Sequence, residues 1–188
     1  MEDQGVEVNR VVSRLATFQR LVANVVSGIG RGVSWLLLAL VVMIFSVVVL
    51  RYGFNLGWVW LQELTVYLHS AVFLLAIAWA FQLDEHVRVD IFYRGKSPRH
   101  QAWVNLLGTA LLVVPFSVYL FLMGWDYVAA SWLVMEGSRE AGGLNFVYLL
   151  KSLMLLLPVL LLLQACDTIP RCIAVIRKNQ DDLSLKGA

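Results

Sequence analysis

Glu63, His69 and Lys151 are the side chains whose chemistry stands out, because each lies within or at the edge of a long apolar run. An ionisable group in hydrocarbon is costly unless a partner or water satisfies it, so such residues mark a possible ion path, proton relay or helix contact. Glu63 opens its run, where a carboxylate is favoured by the positive end of a helix. Lys151 lies near the start of another run, where its long stem can reach back to the boundary. Both are expected at one face of the membrane, on helices that can be neighbours. A Glu63 to Lys151 pair, or a contact from one of them to another protein, is then the sharp expectation, and independent solvation the plain one. His69 shares the helical stripe Gln62, Val66, His69, Phe73 and Ile77. Its imidazole can ligate haem or relay a proton, but a lone neutral ring more commonly hydrogen-bonds to a neighbouring helix. Haem held by two histidines needs a second one at similar depth, and His86 and His100 both fall in a connecting segment.

Other constellations are weaker. His86 and Asp90 are spaced to share a helical face and hold a metal, yet Arg88 intrudes and too few ligands accompany them, so a solvated loop or an interhelical hydrogen-bond cluster is expected instead. Cys166 and Cys172 have no zinc-site spacing and read as free thiols. There is no phosphate-cradling glycine motif, no triad arrangement and no pair of intramembrane carboxylates. The expectation is a protein that is not an enzyme and carries no cofactor or metal.

The elements that must position these residues are four apolar runs, Gly32 to Leu50, Leu64 to Leu83, Trp103 to Trp125 and Leu144 to Cys166. Each is about long enough for a helix to cross ~30 Å of hydrocarbon. With 60% hydrophobic and 15% charged residues, and a mean hydropathy of +0.73, the chain needs lipid as solvent. The fold class expected is an all-α membrane protein, four transmembrane helices preceded by an amphipathic interfacial N-terminal helix. The corresponding segments are a tail at 1–31, a transmembrane domain at 32–167 (spans about 32–52, 61–83, 101–125 and 144–167) and a tail at 168–188. What remains outside the spans is too short for a separate catalytic core, and a net charge of +2 gives no reason to invoke nucleic acid.

Twelve of the fifteen Lys and Arg residues lie before the first run, between the second and third, or after the fourth. The positive-inside rule therefore places both termini in the cytoplasm. Before the first run, Val11, Leu15, Phe18, Val22, Val25 and Ile29 recur at helical spacing opposite Arg10, Arg14, Asn24, Ser27 and Arg31. This predicts a basic amphipathic helix lying on membrane lipid, with extension of the first span or packing on a partner subunit as the alternatives. Gly28, Gly30 and Gly32 are expected to break the helix and form a hinge. The first span begins too late to resemble a cleaved signal peptide. Ser97 and Pro98 read as the start of the third helix. Pro115 and Pro158 fall inside runs, free the carbonyls of Leu111 and Met154, and predict local bends.

The order of these features resembles the small membrane subunit of tripartite ATP-independent periplasmic (TRAP) transporters, the DctQ-like family. The resemblance runs from about Gly28 to Ile176. It is carried by Trp58-Val-Trp60-Leu-Gln62-Glu63, by the stretch Leu74-Leu-Ala-Ile-Ala-Trp79-Ala-Phe-Gln-Leu-Asp84-Glu-His86-Val-Arg88-Val-Asp90, and by Gly137-Ser-Arg-Glu-Ala-Gly142-Gly-Leu144 ahead of Lys151 and Pro158. Two departures are visible. The family often has paired acidic residues where Gln62 and Glu63 stand, and often a proline where Asn145 and Phe146 stand. The resemblance implies a non-catalytic subunit of the bacterial inner membrane, associated with a large multi-spanning permease subunit and served by a periplasmic solute-binding protein. By carry-over, Gln62, Glu63, His86, Arg88, Asp90 and Lys151 become candidates for subunit interface or structure, and Glu63 and Lys151 for docking of the binding protein. Transport of an organic acid, coupled to a cation such as sodium, would belong to the large subunit. A membrane anchor of a quinone-linked redox complex and a self-contained small transporter are the rival classes; the histidine positions argue against the first and the uncharged third run against the second.

Overall fold

The computed structural model describes the backbone of residues 2–83 and 95–186, and within these the side chains of Thr17, 19–83 and 95–177. Four helices, α1 (Glu2–Gly53), α2 (Val59–Gln82), α3 (Pro98–Leu133) and α4 (Val147–Lys186), make up the described chain. Each contains a stretch long and apolar enough to cross a membrane, as the sequence leads one to expect.

Helix α1 corrects one expectation. It runs unbroken through Gly28, Gly30 and Gly32, so there is no hinge, and the basic segment is a direct extension of the first span. At 1.5 Å per residue the 52-residue helix is about 78 Å long, more than twice the hydrocarbon thickness. The glycines are tolerated because packing rather than backbone propensity holds this stretch. Val22, Val26, Val33 and Leu40 are buried at heptad-like intervals. Gly30, between them, lies so close to the Trp79 indole of α2 that a Cβ there would collide with the ring. Of the predicted lipid face, Val22 is buried in this seam, whereas Val25 is exposed.

Helix α2 follows a short connection in which Asn55 takes a left-handed conformation (φ 54°) and the Leu56 amide donates to the Leu50 carbonyl at 2.9 Å. Asn is among the few side chains that adopt this conformation readily, because its short polar group bonds locally. Helix α3 starts as expected: Ser97 is the N-cap, accepting from the His100 amide at 3.4 Å, and Pro98 occupies the first turn. Pro115 does not simply bend it. The preceding turn, Thr109–Val113, widens to π-helix before α-helix resumes at Val114, which is one way to absorb a position with no amide hydrogen. Helix α4 passes through both Pro158 and Pro170 and continues well past the apolar run to Lys186. Its extension brings Cys172 and Ile176 against Ala102 and half-buried Leu106 at the start of α3.

The helices lie in the order α1, α2, α4, α3. Among the described residues α1 packs mainly on α2, α2 also on α4, and α4 on α3, while α3 touches neither α1 nor α2. This is an open row rather than a closed bundle. Helix α4 buries the largest share of its apolar stretch; α1, α2 and α3 leave wide apolar faces uncovered, with Trp35, Phe45, Leu111, Leu112 and Leu122 among the exposed side chains.

Candidate functional site at the α3–α4 connection

The two charges expected to pair do not. Glu63, in the first turns of α2, is engaged by the α3–α4 connection: the Leu144 amide donates to its Oε2 at 2.6 Å and the Ser138 hydroxyl donates to its Oε1. Lys151, one turn into α4, instead pairs with Glu136 at 2.5 Å and places its ammonium 3.9 Å from the centre of the Tyr127 ring. One ion pair and one set of hydrogen bonds to a carboxylate therefore tie one loop to two helices. Glu63 holds it from α2, and Lys151 holds its beginning from α4.

The loop is shaped to allow this. Met135 turns left-handed (φ 45°) just beyond α3, and the Glu136 amide donates back to the Ser131 carbonyl at 3.0 Å, which directs Glu136 toward α4. The Ser138 amide donates to the Leu144 carbonyl (2.9 Å), closing the loop, and the Glu140 amide donates to the Ser138 hydroxyl oxygen (3.1 Å). Gly142 has φ +79°, a conformation that a side chain would strain, and a Cβ on Gly143 would strike Ser138 and the Glu63 carboxylate. Beside it, the Trp132 indole donates to the Ser152 hydroxyl at 2.8 Å and meets Tyr148 edge-on, centroids 4.7 Å apart. Ser152 in turn donates to the Tyr148 carbonyl.

Outside the spans, the Glu136 carboxyl is held below its ordinary range, first because the Lys151 ammonium donates to it. A carboxylate with a depressed value stabilises the fold at pH above its unfolded value of 4.5, and that contribution disappears as pH falls through the lower folded value. Amide exchange over 134–146 should therefore be flat from neutral pH to about 4.5, after allowance for intrinsic rates, and rise below it. Glu136→Gln should raise exchange at neutral pH and shrink that acid step, most at the Glu136 end of the loop, since Glu63 holds the Leu144 end; a step unchanged in size would assign it to Glu63 alone.

At the opposite end of α2, Gln82 donates to the Ala23 carbonyl at 3.0 Å and accepts from the Ser27 hydroxyl at 3.5 Å, fastening α2 to the extended α1. Asp167, buried in α4, pairs with Arg171 one turn on, and Gln164 is buried one turn before it. Sequence reasoning missed Glu136, Ser138, Gln82, Gln164 and Asp167. The first two carried a signal in the acidic, serine- and glycine-rich stretch before Leu144; the last two stand at helical spacing with Arg171 at the end of an apolar run.

Of the sequence candidates, Glu63 and Lys151 converge on the loop. Gln62 is exposed and faces away toward a crevice with Leu50, Leu56 and Gly57. His86, Arg88 and Asp90 lie outside the described residues. His69 is exposed and stacks on Phe73 rather than reaching a neighbouring helix of this chain.

These polar side chains fasten helices and a loop, and the apolar surface is largely left open. The arrangement defines an integral-membrane protein of four apolar helices. The family model for the DctQ component of tripartite ATP-independent periplasmic transporters matches residues 40–174, and the chain belongs to that family: it is a small membrane component of a TRAP transporter, a transporter subunit and not an enzyme. Comparison with curated proteins and with solved structures gives no match.

Proposed function

We propose that this chain braces a large permease subunit as part of its stationary scaffold, while that subunit carries out cation-coupled uptake, with sodium as the coupling ion, of an organic acid delivered by a periplasmic binding protein. The observation that carries this reading is the open row of helices: α1 and α3 bury little within the chain although both are long and apolar. A row of this kind widens another protein's footprint in the bilayer and resists tilting when part of that protein moves. Both termini lie in the cytoplasm in this reading, which rests on the distribution of basic residues. The pinned α3–α4 connection then faces the periplasm, where a rigid loop offers the binding protein a fixed landing surface. Gln62, Glu63, His86, Arg88, Asp90 and Lys151 act in assembly and loop geometry, not as ligands for the solute.

Deleting the chain from cells that retain the other two components should abolish uptake, measured with radiolabelled organic acid. The isolated chain should bind none of that acid by calorimetry. Uptake that survives the deletion, or solute binding by the isolated chain, would overturn the division of labour.

A further inference from the structure

Among the described residues one face of α2 packs on no other helix beyond its first member, Gln62, which borders the crevice with Leu50 and Leu56. Gln62, Val66, His69 and Phe73 are all exposed, Val66 by 54% and Phe73 by 59%, although α2 is flanked by α1 on one side and α4 on the other. Their spacing of four, three and four residues is that of a helix-packing seam, a row of knobs about 16 Å long. At its centre stands an imidazole. His69 is six residues beyond Glu63, which opens the apolar run, and so about 9 Å inside the hydrocarbon layer. Its ring lies against Phe73, centroids 6.3 Å apart, and among the described residues neither ring nitrogen has a hydrogen-bond partner.

A ring nitrogen that needs a partner does not face hydrocarbon without cost, and polar side chains at this depth almost always face protein or a water-filled cavity. The exposed apolar faces of α1 and α3 are consistent with lipid contact, but this stripe is not. We infer that the Gln62, Val66, His69 and Phe73 face of α2 is the seam against which a transmembrane helix of the large permease subunit packs, presenting a hydrogen-bonding group opposite His69. This rests on the scaffold reading above and adds to it the helix face and the buried polar contact. One interhelical hydrogen bond in a bilayer, together with packing around Val66 and Phe73, gives such a seam both affinity and register.

The test uses the complete complex in native membranes. A photo-crosslinking benzoylphenylalanine is placed singly at Val66, at Phe73, or at Leu122 on the exposed face of α3. The expected result is an adduct from Val66 and Phe73 whose peptides come from the large subunit, with Leu122 giving lipid adducts. Large-subunit adducts from Leu122 alone would overturn the choice of face while leaving the scaffold reading intact. No large-subunit adduct from any of the three, with no large subunit co-purifying, would defeat that reading itself. Adducts from Val66 and Phe73 with a second copy of this chain, or with lipid only, would overturn the seam. Independently, His69→Leu should lower recovery of the assembled complex roughly threefold, the size of one interhelical hydrogen bond in a membrane, and His69→Gln should restore most of it. Equal or better assembly with His69→Leu would show that the position faces lipid.

Discussion

Replacing Glu63 by alanine should free the α3–α4 connection from α2, giving fast amide exchange across 137–145 and several-fold lower recovery of the assembled transporter. The expectation follows from what one carboxylate holds. It accepts from the Ser138 hydroxyl and from the Leu144 amide, while Ser138 itself accepts from the Glu140 amide and closes onto the Leu144 carbonyl. Removing the acceptor leaves a hydroxyl and a main-chain amide without their partner at once, and hydrogen bonds to a charged acceptor are the stronger kind. Glu63→Gln should fall between, since its single carbonyl oxygen can serve Leu144 but its amide nitrogen cannot accept from Ser138. Lys151→Met is the informative contrast, because it breaks the tie to Glu136 and leaves the Glu63 contacts in place. If Glu63→Ala and the parent protein show the same protection over 137–145, the loop is held by its own turns and Glu63 has no structural part.

Gly30→Ala should destabilise the protein, whereas Gly124→Ala should be close to neutral. Both glycines sit where two helices approach, but the neighbours differ. A Cβ at Gly30 meets the body of the Trp79 indole, a rigid ring. A Cβ at Gly124 meets the terminal methyl of Met154, at 2.8 Å, and Leu155 at 3.1 Å, and a methionine end can swing aside. Overpacking against the ring costs about 1–3 kcal/mol, offset in both variants by up to about 1 kcal/mol of helix propensity gained on losing glycine. Thermal unfolding of the purified protein in micelles should rank Gly30→Ala below the parent and Gly124→Ala beside it. Equal midpoints for the two variants would mean that α1 and α2 can separate at Trp79 without loss, and that Gly30 is not needed for their approach.

Much of this architecture was legible in the sequence, for reasons that differ from element to element. The four spans follow from hydropathy and length alone, since a backbone in hydrocarbon has few ways to satisfy its own hydrogen bonds. The start of α3 was visible in Ser97 and Pro98 because capping is local chemistry. The hinge expected at Gly28, Gly30 and Gly32 was misread for the opposite reason: glycine's freedom is a local property, but Gly30 is where α1 closes on Trp79, and that contact lies 49 residues away along the chain. The π-helical turn before Pro115 is a similar case, since proline announces a disturbance without saying how the helix absorbs it.

The amino-acid order alone determined the class of protein, its four crossings and the family to which residues 40–174 belong, because these depend on which side chains are apolar and how far apart they stand. The tertiary structure decided which partner each charge takes and which surfaces remain uncovered. Glu63 and Lys151 were correctly placed at one end of the helices, yet each closes on the α3–α4 connection rather than on the other, and His69 looks outward rather than into the row. Periodicity states that a residue lies on a face; only the packing order α1, α2, α4, α3 says which face is already taken.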